Sequence, residues 1–257
     1  MEKKNEKRAT GSHRFDPNST EKFRLSRYRI ELFVRCPRCF YLDMRFGIKP
    51  PDFHPYTLNS AVDVLLKKEF DIYRSSQEPH PLMREYGIDS YPYSHHKLET
   101  WRETFKGMEY FDRETNFIIC GAPDDIWLVS SEGLAVVDYK STSSGRDHSI
   151  ESDYWTSFKR QIEIYQWLLE KQDISEQVSP IGYFVLANGR RDAERFNKTL
   201  NFTLELFSFR GENSWVQDAV RQAHACLHKN QLPDSAQGCE YCAYRRKAYE
   251  KERLQKV

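Results

Sequence analysis

Asp138 and Lys140 sit two residues apart near the end of LAVVDYKST (134–142), a stretch that begins as an apolar run. On a strand, positions i and i+2 share a face, so the carboxylate and the ammonium point the same way. Upstream, GAPDDIWLV (121–129) and the turn SSEG predict a β-hairpin with that strand. The turn centres near Ser131, and Asp124 and Asp138 each lie seven residues from it, which sets them opposite one another. Asp125, as the strand neighbour of Asp124, is expected on the other face. Two close carboxylates repel and favour proton sharing or a divalent cation. Mg²⁺ takes carboxylate and carbonyl oxygens and keeps several waters. A lysine beside such an ion can hold an attacking water and offset charge on a phosphorane-like transition state. Phosphodiester hydrolysis needs that combination. An isolated D-x-K is usually an exposed ion pair worth about 0–1 kcal/mol; Gly121-x-x-Asp124 at hairpin spacing is what sets this one apart.

A second group of chemistry-bearing residues lies at the two ends of the chain. Cys36-Pro-Arg-Cys39 and Cys239-Glu-Tyr-Cys242 are C-x-x-C pairs about 200 residues apart. Two such pairs in a reducing compartment point to one four-thiolate site, for Zn²⁺ or an iron–sulfur cluster. Cys120, on a strand, and Cys226, in a helix, read as core residues.

The elements that must position these groups follow from periodicity. LSRYRIELFVRCPRCFYLDMRFGI reads as helix broken at Pro37, with Ser26 as its N-cap, and 58–74 has a helical apolar face through Leu66 and Phe70. Residues 75–110 carry mixed signals. NFIIC (116–120), 181–186 and NFTLELFSF read as strands; 151–171, 215–227 and the basic C-terminal stretch read as helices. Trp155 and Trp167 are expected in the core. The order of elements predicts an α/β domain on a small mixed sheet whose sequence-distant ends meet. The expected division is a disordered polar tail over 1–24 and a single domain over 25–257, with 26–46 and 236–250 forming the cysteine region.

Composition narrows the setting. The 257 residues are 39% hydrophobic, enough for one sizeable core. With 39 Lys+Arg against 38 Asp+Glu the net charge is +1, so any basic binding surface must be local. RRKAYEKER (245–253) and GRRDAER (189–195) are candidate phosphate contacts, although their interspersed acids also suit a solvated face. No apolar run reaches membrane-spanning length and no signal peptide opens the chain, which predicts a cytoplasmic protein without membrane contact.

GAPDDIWLVSSEGLAVVDYKST resembles the core of the PD-(D/E)XK nuclease superfamily, especially its RecB-like branch, which includes the CRISPR-adaptation exonucleases. The resemblance rests on Gly121, Asp124, Asp138 and Lys140, followed by Gln161 and Tyr165 of a Q-x-x-x-Y one helical turn apart. It implies a restriction-endonuclease-like fold and a Mg²⁺- or Mn²⁺-dependent deoxyribonuclease, with exonuclease action and single strands or ends favoured. In that reading Asp124, Asp138 and the Tyr139 carbonyl hold the metal and Lys140 orients the water. Gln161 and Tyr165 position the backbone or support the site. Repair, recombination and defence are the settings it implies, with any helicase on a separate chain. Where many members carry a histidine ligand on an early helix, this chain has Asp63, which binds such metals as readily; Glu69 is a further acid on that helix. The branch also implies a [4Fe–4S] cluster held by one early and three late cysteines. Here Ala248 stands at the last position and Cys39 is extra, so four cysteines remain as two pairs, for which Zn²⁺ is the alternative. A module of the same fold that binds nucleic acid without cleaving it is the competing reading.

Overall fold

Pro37 divides the first helical stretch. In the computed structural model, which describes residues 14–51, 57–145 and 149–255, α1 (Arg27–Arg35) stops before Cys36. α2 (Pro37–Phe46) then starts with Pro37 in its first turn, where a missing N–H costs nothing. Ser26 precedes α1 but makes no side-chain cap. Of the polar tail expected over 1–24, residues 1–13 lie outside the described residues. Over the rest, Phe15 packs edge-on against Phe23, Phe117 and His228, and β1 (Phe23–Ser26) begins before residue 24. The aromatic side chains supply apolar area that the polar composition of the stretch conceals.

The long helix α3 (Thr57–Ser76) is followed by the mixed region, which resolves into α4 (Pro81–Glu85), β2 (Ser90–Pro92), α5 (Leu98–Arg102) and β3 (Met108–Asp112). Then come β4 (Phe117–Gly121), β5 (Asp125–Val129), β6 (Gly133–Thr142) and α6 (Thr156–Glu170). The chain continues through β7 (Ile181–Gly189), β8 (Phe202–Arg210), α7 (Trp215–Leu227) and α8 (Glu240–Leu254). The described residues form two sheets, where the sequence predicts one small mixed sheet. The larger is mixed, in the order β2-β5-β6-β7-β8, and the smaller runs β1-β4-β3. β6 and β7 pair in parallel, so the chain must cross over between them, and α6 makes that crossover.

β6 is the axis of the core, buried from Leu134 through Tyr139. Its even-numbered residues Leu134 and Val136 pack with Ile162, Ile164 and Leu168 of α6. Its odd-numbered residues Ala135, Val137 and Tyr139 pack with Leu66 and Phe70 of α3. A strand buried on both faces reads as a continuous apolar run, as this one does. Its parity also assigns Asp138 and Lys140 to the α6 side. Trp155 and Trp167 are both buried. No helix among the described residues is long and apolar enough to cross a membrane.

Candidate active site

The β5–β6 hairpin sets the register of the site. Asp125 pairs with Val137 and Val129 with Gly133, so one further step places Asp124 opposite Asp138. Gly133 closes the turn at φ +92°, and a Cβ there would lie 2.1 Å from the Gln177 carbonyl oxygen. Asp124 lies just before β5, and its Oδ2 accepts a 2.9 Å hydrogen bond from the Tyr139 backbone N–H. That bond ties it to the strand carrying Asp138.

Asp138 is buried, with 1% of its side chain exposed. Its Oδ1 accepts from Gln161 Nε2 at 2.8 Å, and its Oδ2 is ion-paired with Lys140. Burial pushes the carboxyl up, Lys140 opposes that, and the result is about 6. Gln161 also reaches the Tyr165 hydroxyl at 3.3 Å, so the two α6 residues act as one support. Gly121 explains how Tyr165 comes so close: a Cβ there would meet the Tyr165 ring at 2.6 Å. The phenol is buried, which raises its pKa.

α3 brings a third carboxylate. Asp63 Oδ2 and Asp124 Oδ1 each stand 3.0 Å from the Lys67 ammonium. Two carboxylates from different elements thus converge on one cation position, as a divalent ion would require. Burial and then the Asp124 charge raise the Asp63 pKa. Burial lowers that of Lys67, but the charges of Asp124 and Asp63 outweigh it and the net direction is up. Glu69 points elsewhere and pairs with His80 at 2.9 Å.

Asp125 faces away, as strand alternation demands. It is fully buried and braces the back of the hairpin, accepting from Arg74 at 2.5 Å, the Tyr139 hydroxyl at 2.9 Å and the Ile126 N–H at 2.8 Å. The Tyr139 side chain is therefore committed to this network, leaving only its backbone for the front of the site. Arg74 also pairs with Asp71, which holds Arg102.

The front of the site opens on a cleft of about 1140 Å³ lined by Asp63, Lys140, Ser141, Thr142, Tyr154 and Phe158, among others. The Lys140 ammonium lies 4.8 Å from the Phe158 ring centre. Tyr154 is 68% exposed and stands edge-on to Trp155 and Phe158. Lys67 and Arg27 are the charged neighbours that sequence reasoning passed over. Arg27, at the start of α1, lies 6.0 Å from the Tyr165 ring and favours ionisation of Asp138. Nothing local marks Arg27, whereas the i,i+4 spacing from Asp63 was a usable signal for Lys67.

The four cysteines come together. Their sulfurs lie within 4.8 Å of one another, and among the described residues they are the one such group of three or more His, Cys, Asp or Glu. The three carboxylates of the hairpin site, interleaved with two lysines, do not close that far. Cys36–Cys242, Cys39–Cys239 and Cys39–Cys242 are 3.8, 3.7 and 3.6 Å apart. Burial opposes ionisation of Cys36, but the Ala236 and Cys39 N–H groups bring its thiol down to about 7. Burial and neighbouring thiols push Cys39 up. Four thiolates crowded this closely need a cation, so the cluster can bind a metal. Cys120 and Cys226 are buried elsewhere.

No curated protein matches the chain significantly. A family model does, covering the hairpin, α6 and both cysteine pairs: it matches residues 24–247, and the chain belongs to the PD-(D/E)XK nuclease superfamily.

Proposed function

We propose that the protein is a Mg²⁺- or Mn²⁺-dependent deoxyribonuclease acting on single strands or ends, with exonuclease action favoured. The observation that carries this reading is Asp138, a buried carboxylate near Asp124, held between Gln161 and Lys140, the latter lining an open cleft together with Asp63. A charge is costly to bury, and one buried at a cleft with specific partners is a functional candidate. Asp63, Asp124, Asp138 and the Tyr139 carbonyl are the residues that would hold the divalent ion. When bound, that ion supplies a Lewis acid for the phosphoryl oxygen and lowers the pKa of a bound water. Lys140 orients the water and offsets phosphate charge. Gln161, held by Tyr165, keeps Asp138 aimed. Arg27 adds a positive charge for the nucleic-acid backbone.

Tyr154 supports the single-strand preference. An exposed ring beside the cleft offers a base a stacking surface, which a paired duplex cannot use without opening. Repair, recombination or defence in the cytoplasm, with a separate helicase where unwinding is needed, is the setting that fits such an enzyme.

For the cysteines we infer a single tetrahedral ion, Zn²⁺, rather than the [4Fe–4S] cluster that the family resemblance implied. Zn–S bonds of about 2.3 Å place tetrahedral sulfurs about 3.8 Å apart; three of the six sulfur pairs stand 3.6–3.8 Å apart and all lie within 4.8 Å. A cluster holds each thiolate on a different iron, and so farther apart. Colourless protein with one zinc per chain is the expected result; brown protein containing iron would reverse the assignment.

The nuclease reading is tested with end-labelled single- and double-stranded DNA and either metal. Wild-type protein is expected to cleave, and Lys140→Ala and Asp138→Asn to be at least about 100-fold slower. Equal cleavage by all three proteins, or none by the wild type with either metal, would remove the proposal.

A further inference from the structure

Lys67 is a charged side chain among the carboxylates that the catalytic reading leaves without a role. Its ammonium stands 3.0 Å from Asp63 Oδ2, one turn back on α3, and 3.0 Å from Asp124 Oδ1, across on the hairpin. About a fifth of its side chain is exposed. The site described above therefore holds three carboxylates and two ammoniums, with Lys67 bridging Asp63 and Asp124 and Lys140 on Asp138. An ammonium and a divalent ion cannot both stand between the same two oxygens, because they repel and compete for the same lone pairs.

We propose that Lys67 is an internal counter-ion, a positioning residue that holds Asp63 and Asp124 together in the metal-free protein and that an incoming divalent ion displaces. The proposal rests on the metal-dependent reading of the hairpin site. Without a cation, the two carboxylates would push α3 and the hairpin apart; Lys67 keeps the pair assembled until metal arrives. Displacement is feasible because the ammonium is a compact charge on a flexible four-carbon stem. Lys67 also lines an adjoining open groove with Val64 and Thr100, which gives the displaced side chain room to swing out toward solvent. Metal affinity is then set partly by how readily Lys67 leaves.

A fixed structural brace and a displaceable counter-ion predict opposite changes in metal binding. Mn²⁺ titrations by calorimetry, without nucleic acid, compare the wild type with Lys67→Met and Lys67→Arg. Asp124→Asn serves to assign the signal to the carboxylates. Lys67→Met is expected to bind Mn²⁺ about threefold to tenfold more tightly and to melt lower than wild type in EDTA. Lys67→Arg, which keeps the charge in a less readily displaced form, is expected to bind Mn²⁺ no more tightly than the wild type. Folded Lys67→Met with unchanged or weaker Mn²⁺ affinity overturns the proposal while leaving the metal site standing. A wild type with no Asp124-dependent Mn²⁺ binding overturns both. If Lys67→Met does not fold, Lys67→Gln carries the same comparison.

Discussion

Asp138 shows how a single residue links chemistry to stability. In the metal-free fold its carboxyl titrates near 6, against an ordinary value of 3.8. The folded chain thus binds this proton more tightly than the unfolded chain does. The stability it contributes is complete below about pH 4 and is lost as the pH rises through about 6. Asp138→Asn abolishes that dependence. In EDTA, its Tm relative to wild type is expected to be about 5 °C more favourable at pH 8 than at pH 4.5, measured by calorimetry. Groups common to both proteins cancel in that difference, so a flat difference would mean the carboxyl is not held up. A second expectation concerns Tyr154: Tyr154→Ala should raise KM for single-stranded DNA about tenfold, with Tyr154→Phe near wild type. At this scale the sequence was informative wherever two rules met. Strand alternation and hairpin symmetry together put Asp124, Asp138 and Lys140 at one place before any fold was known. Arg27 was invisible because its approach depends on how α1 docks, which no local pattern encodes.

Elements carry the next level of constraint. α6 can lie against β4 only because Gly121 presents no side chain to Tyr165 and Leu168. Gly121→Ala is expected to shift α6, to cost about 1–3 kcal/mol, and to weaken cleavage through the loosened Gln161. Urea unfolding and the nuclease assay read the two effects. Behind the hairpin, Arg74→Met would leave Asp125 fully buried without its guanidinium, a loss of about 3–5 kcal/mol. Adding Asp125→Asn should recover much of it in the same unfolding measurement. The helices and most strands were readable because their apolar periods are long and clean, as in α7 and β6. Residues 75–110 were not, since β2 and α5 are three and five residues long and take their form from neighbours. The separate β1-β4-β3 sheet was also hidden, because parallel pairing of β1 with β4 joins segments that no turn connects.

On the scale of the whole molecule, the four cysteines join α2 to α8 across some 200 residues. On the metal-site reading proposed above, a strong chelator, or Cys39→Ser, is expected to lower Tm by at least about 5 °C, with metal content per chain measured in parallel. Spacing alone announced that these cysteines would meet; the choice of ion proposed above draws on sulfur separations that no spacing encodes. Their arrangement also bears on how the protein is made. Cys36 and Cys39 leave the ribosome some 200 residues ahead of Cys239, an interval of about 10–40 s at ordinary elongation rates. Through that interval the nascent chain already carries its hairpin carboxylates but only half of its thiolate clasp. A site that needs all four thiolates can therefore close only after Cys242 has emerged.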